Sequence, residues 1–147
     1  MSDFLAQHDK LTQQIEQSNY ISRDLSWLQF NYRVLDQAKH IDRSIFDRLK
    51  FLSITASNLD EFCTIRLGSL YNYIDFGKER VDYSGLREET YRKYLLTEVQ
   101  RYTKEQSEYF IKKLKPLFEK NGFGICTYKN LSIENTKLVD DYFRSII

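Results

Sequence analysis

The chain has 147 residues, of which 41% are hydrophobic and 15% aromatic, and its 22 Lys+Arg against 21 Asp+Glu leave a formal charge of +1. That length fits one domain of ordinary size with an extra element at one end, and the near-neutral charge gives no electrostatic ground for binding nucleic acid or an anionic membrane. One Pro and five Gly leave few breakers, which favours long helices packed through large side chains.

Residues 3–18 place Phe4, His8, Leu11 and Ile15 at helical spacing, a thin apolar stripe that predicts a peripheral helix. Tyr20 to Leu25 reads as a connector. Ser26 and Gln29 then form a capping-box pair ahead of a helix over 27–39, with Trp27, Phe30, Val34 and Ala38 on one face and Leu28 and Leu35 beside it. A third helix is expected over 44–56, its stripe being Ile45, Leu49, Leu52 and Ala56. Ser57 or Asn58 then caps a fourth helix, with Leu59, Phe62, Arg66, Ser69 and Tyr73 on one side and Ile65, Leu70 and Ile74 on another.

Gly77 to Gly85 is the clearest loop. A helix over 87–120 follows, about 50 Å long at 1.5 Å per residue, lined by Tyr91, Leu95, Val99, Tyr102, Phe110, Leu114 and Leu117. Pro116 should kink or end it near Lys115, and Asn121-Gly122 closes it. Phe123 to Tyr128 reads as a short strand, and Ser132 caps a last helix with Leu138, Tyr142 and Ile146 on one side. A lone strand forms no sheet, and the chain ends inside this last helix. Both point to a chain cut just after it enters a second domain. The expected fold is therefore all-α: an antiparallel helical bundle with one very long helix, followed by a short strand and helix that begin a second, α+β domain.

Few residues offer chemistry on their own. Cys63 and Cys126 lie far apart, with no CxxC and no His at ligand spacing, which argues for reduced thiols in a cytosolic protein and against zinc or a disulfide framework. Met1-Ser2-Asp3-Phe4 lacks the basic-then-apolar order of a secretory signal, and no apolar run approaches the roughly 18 residues of a membrane span. Gly77-Lys78 lacks the rest of a P-loop. His8 and His40 read as surface or packing residues without a carboxylate partner, and Asp60-Glu61 as a dipole-stabilising pair at a helix start. Arg23, Arg33, Arg43, Arg48 and Arg66 either meet phosphates or form solvated ion pairs. Asn58 admits two readings. It is an N-cap, or its carboxamide, one acceptor and two donors, meets the edge of an adenine.

Two segments together resemble a known family. Arg23-Asp24-Leu25-Ser26-Trp27-Leu28-Gln29-Phe30-Asn31-Tyr32-Arg33-Val34-Leu35 is the first, and Arg48 through Ile54 with Ser57-Asn58-Leu59-Asp60-Glu61-Phe62 the second. In this pattern and separation the chain is similar to the N-terminal domain of the long bacterial polyphosphate kinase, family-1 type, from about Tyr20 onward and most clearly over 22–68. The resemblance implies reversible transfer of the terminal phosphate of ATP to polyphosphate, through a phosphorylated histidine and with Mg2+, both held by later domains absent from this chain. It implies domains at 20–121 (the helical N-terminal domain) and 122–147 (the start of a head domain that contributes to homo-oligomer formation), with the extension helix of 1–19 lying outside it. It assigns Asn58 to the adenine of ATP or ADP, with Leu59 and Phe62 as an apolar wall, and leaves this piece inactive alone. The expected location is cytoplasmic, with peripheral membrane association as an alternative. Cys63 stands where the family has an aromatic residue, and residues 39–44 lack its Pro. A second reading is a stand-alone helical adaptor that docks a partner on an aromatic face; burial of Tyr91, Tyr102 and Phe110 within one monomer would weaken it.

Overall fold

The computed structural model of the chain describes residues 2–69, 71, 76, 77, 81, 85 and 88–146. Helix α1 spans Ser2–Glu16 and buries His8 and Ile15, with Leu11 half-buried. The side chain of Phe4 lies outside the described residues. Helix α2 spans Arg23–Lys39 and starts earlier than expected, because Ser22 and not Ser26 is its N-cap. The Ser22 hydroxyl accepts from the Asp24 amide at 3.3 Å and pairs with the Tyr91 hydroxyl. Two serines compete for one capping role, and the one with a buried tertiary partner takes it.

Helix α3 spans Ile45–Phe62. Ser44, read as the first helical residue, is its N-cap, accepting from the Asp47 amide at 3.1 Å. The expected break at Ser57–Asn58 is absent, so Asn58 is an interior helical residue and not an N-cap. Asp60 and Glu61 accordingly stand in the last turn of α3, where the macrodipole does not favour acidic groups. The helix persists because Leu52, Thr55, Leu59 and Phe62 keep facing the core at steps of three and four. The irregularity falls later, in a π turn at Cys63–Leu67. There the buried positions step by five, from Phe62 to Leu67. An inserted residue is what such a turn accommodates.

Helix α4 spans Glu88–Tyr109, runs through a second π turn at Phe110–Leu114 and continues as α5, Lys115–Lys120. The buried residues again step by five, from Tyr109 to Leu114. Pro116 therefore does not end the helix. It sits in the first turn of α5, where its missing N–H costs little. The expected stripe shifts with the turn: Tyr109 and Phe118 are buried, while Phe110 and Leu117 are only partly covered. Gly77 and Gly85 have φ of 65° and 77°, the left-handed backbone expected of loop glycines. Most of the loop between them, with Leu70, Tyr73 and Ile74 of the expected fourth-helix faces, lies outside the described residues.

The expected strand at 123–128 is not seen. Residues 123–127 carry no regular structure and lead into a 3-10 turn, Tyr128–Asn130. Among the described residues no strand lies beside them to complete a ladder. Helix α6 spans Ile133–Ile146, capped as expected by Ser132, whose hydroxyl accepts from the Asn135 amide at 3.2 Å. None of its residues is buried, and Leu138, Tyr142 and Ile146 all face solvent.

Cross-helix contacts set the topology. Asn31–Asn58 and Trp27–Phe62 pair α2 and α3 antiparallel. Ser22–Tyr91, Tyr32–Tyr102 and Lys39–Glu105 pair α2 and α4 parallel. His8–Glu98 and Thr12–Tyr94 run α1 against α4. The helical bundle is thus as expected, with α2 antiparallel to α3 and parallel to α4, but the buried faces differ from those read. On α2 the core takes Leu25, Leu28, Asn31, Leu35 and Ala38, leaving Phe30 47% exposed, while on α3 Ala56 is exposed and Thr55 buried.

Two tyrosines, Tyr102 in the core and Tyr32 half-buried against it, make the bundle sensitive to alkali. Burial, with Glu105 and Glu98 nearby, pushes Tyr32 up to about 12. Burial also pushes Tyr102 to about 12. Their pKa values are raised in the folded state, so the stability they contribute is complete below the ordinary value near 10 and is lost as pH rises toward 12. In a phenolate absorbance titration these two should ionise only as the helical circular dichroism is lost. Ionisation of every tyrosine near 10 with helicity intact would put both rings in water.

Candidate functional site

The residues singled out by the sequence meet along the α2–α3 seam. Asn31 is fully buried on α2, in the middle of an apolar stripe, where its polar groups need partners. Its Nδ2 donates to the Thr55 carbonyl at 3.2 Å. Its Oδ1 accepts from Asn58 Nδ2 at 3.1 Å. Its own carbonyl accepts from the Tyr102 hydroxyl at 3.2 Å. Thr55, also fully buried, donates its hydroxyl to the Leu52 carbonyl at 2.6 Å and accepts from Gln106 Nε2 at 2.7 Å. One connected set of hydrogen bonds thus links α2, α3 and α4.

Asn58 stands at the outer end of this set, half-buried. It spends one N–H on Asn31; its oxygen and second N–H make no hydrogen bond among the described residues. Leu59 and Phe62 do not line an open wall beside it. Both belong to the core, 8% and 3% exposed, and Phe62 stacks on Trp27 with centroids 4.4 Å apart. Phe30 is exposed on α2 with Arg33 above its ring at 5.7 Å; Ile54, Ser57 and Glu61 of α3 and Ile65 of the π turn are exposed as well. Arg66 approaches Asp24 at 3.9 Å. Cys63 begins the π turn half-buried, its thiol pKa raised by burial and then by Asp60.

The other candidates resolve individually. Arg48 is no solvated ion pair: its Nε donates to the Ala38 carbonyl at 3.1 Å and to the Tyr109 hydroxyl at 3.0 Å. Arg43 lies over Phe51 at 4.6 Å and donates to Gln37. Both histidines have the carboxylate neighbour that the sequence reading denied them. His40 Nδ1 is 3.6 Å from Asp42, exposed. His8 is buried, stacked on Tyr94 at 4.8 Å, with Nε2 3.0 Å from Glu98. Asn31, Thr55 and Gln106 were missed. The available signal was an Asn at a core position of the stripe Leu28-Asn31-Leu35, which a count of apolar residues discards.

The structure is a helical bundle in which, among the described residues, hydrogen bonds from Asn31 through Thr55 cross three helices and end at the half-buried Asn58. The polyphosphate kinase N-terminal domain model matches residues 20–126, and the chain belongs to that family. It is 35% identical over 128 residues to the polyphosphate kinase of Lactiplantibacillus plantarum, covering 87% of this chain and 18% of that protein. It is 35% identical over 130 residues to the polyphosphate kinase of Thermosynechococcus vestitus, covering 86% and 17%, and 34% identical over 131 residues to that of Helicobacter pylori, covering 86% and 19%. The chain thus spans under a fifth of the length of these curated relatives. Among the described residues no helix is long and apolar enough to cross a membrane.

Proposed function

We propose that this chain supplies the adenine side of the nucleotide site of an ATP–polyphosphate phosphotransferase. The observation that supports this best is the state of Asn58: an interior helical Asn, not consumed by capping, with one N–H tied to Asn31 and its oxygen and second N–H unspent. Those two groups match the donor–acceptor edge of adenine. The whole protein would move the terminal phosphate of ATP reversibly onto polyphosphate, and it would do so as a homo-oligomer. The catalytic histidine belongs to domains this chain does not contain. Mg2+ would be held with the phosphates, in those same domains. Leu59 and Phe62 support the site from beneath, by holding α3 against α2, rather than touching the base.

In the full-length kinase, Asn58→Ala should raise the KM for ATP about tenfold, as loss of one polar contact would. An unchanged KM in a normally folded enzyme would remove Asn58 from the nucleotide site. The adaptor reading is weaker, because Tyr91 and Tyr102 are 3% and 0% exposed and Phe110 is half-covered, so the long helix presents no open aromatic face.

A further inference from the structure

The Asn31–Asn58 pair has a defined polarity. A backbone carbonyl only accepts, so the Asn31 atom at 3.2 Å from the Thr55 oxygen is its Nδ2. The Asn31 oxygen must then face Asn58, and Asn58 must answer with its own Nδ2, at 3.1 Å. Each carboxamide orientation follows from the last, and the series starts from a backbone atom held in α3. Asn31 cannot turn over without setting its oxygen against the Thr55 carbonyl, with no donor there, since it is wholly enclosed. Thr55 is itself fixed through Gln106 and Leu52.

We infer that Asn31 is a positioning and specificity-determining residue: it fixes the Asn58 carboxamide with its oxygen free, so that the site accepts a 6-amino purine and disfavours a 6-oxo purine. This rests on the reading that Asn58 meets the base. Adenine places an amino donor beside a ring-nitrogen acceptor, which complements the Asn58 oxygen and its remaining N–H. Guanine presents two acceptors there, and its oxygen would oppose the Asn58 oxygen. A carboxamide free to rotate would lose this discrimination, since it could turn its NH2 to either base.

The test uses the full-length kinase with ATP and GTP as competing donors. Asn31→Leu keeps the volume and removes both polar groups, so the ratio of kcat/KM for ATP over GTP should fall about tenfold, carried mainly by KM. Asn31→Asp, protonated in that enclosed position, can still donate to Thr55 and accept from Asn58, and should restore most of the ratio. A wild-type ratio in a folded Asn31→Leu enzyme would overturn the proposal. Asn58→Ala, measured alongside, separates the two claims: if it leaves the KM for ATP unmoved, the adenine reading has failed; if it raises KM while Asn31→Leu leaves the ratio alone, only the positioning role has failed. Should Asn31→Leu not fold, the wild-type protein isotope-labelled at asparagine decides by NMR. Slowly exchanging Asn58 amide protons close to Asn31 support the proposal, and a freely rotating Asn58 amide overturns it.

Discussion

Tyr102→Ala should destabilise the bundle by about 3–5 kcal/mol, the range for removing a large aromatic from a packed core. Tyr102 has no exposed surface, and its ring meets Tyr32 edge-on at 4.7 Å. Its hydroxyl donates to the Asn31 carbonyl at 3.2 Å. The alanine variant therefore loses transfer energy, leaves a cavity between α2 and α4, and removes one support of the Asn31–Asn58 pair. Tyr102→Phe isolates the hydroxyl and should cost about 1 kcal/mol. Urea unfolding followed by circular dichroism measures both. An alanine variant within about 1 kcal/mol of wild type would mean that Tyr102 does not sit in a packed interior.

Arg48→Met should cost about 1.5–3 kcal/mol, the range for hydrogen bonds made by a charged group. The Ala38 carbonyl lies in the last turn of α2, where helical carbonyls run out of intrahelical donors. Two side chains from other helices close it: Arg48 through Nε at 3.1 Å, and the Tyr109 hydroxyl, which donates to the same oxygen while accepting from Arg48 at 3.0 Å. The arrangement ties α2, α3 and α4 together at one end of the bundle. Methionine keeps the length of the stem but donates nothing. Lysine should rescue only partly, because a single ammonium does not reproduce the planar donor that Nε presents. The same denaturation series tests this, and a lysine variant as stable as wild type would show that charge alone matters at Ala38.

Much of the bundle was legible because its determinants are local. Ser132 caps its helix as read, since an N-cap is decided within three residues. The helical character of every long segment followed from composition and period. The faces of α2 and α3 were misread by one residue, and the cause is specific. The true stripes pass through Asn31 and Thr55, polar residues that a hydrophobic pattern cannot count. The π turns escaped for a related reason. Five-residue steps at Phe62–Leu67 and Tyr109–Leu114 break a regular period, and only packing shows which residues resume the core.

The candidate site divides in the same way. The two motifs, the second carrying Asn58, are short strings, so family membership could be read from them and is met by the match over residues 20–126. The state of Asn58 could not be read there. Asn and Ser are good caps in any isolated peptide, and nothing within a few residues says that α3 continues through them. That depends on Leu59 and Phe62 staying pressed against α2, with Phe62 on Trp27.

The sequence by itself therefore determined the helical segments, one of their caps and the family, because these depend on neighbours within a turn or on the order of residues alone. The tertiary structure alone decided which serine caps α2, which face of each helix is buried, and that Asn58 is an oriented side chain rather than a cap. Those outcomes rest on pairs such as Ser22–Tyr91, Asn31–Asn58 and Arg48–Ala38, distant or polar contacts whose energies exist only once the helices have met.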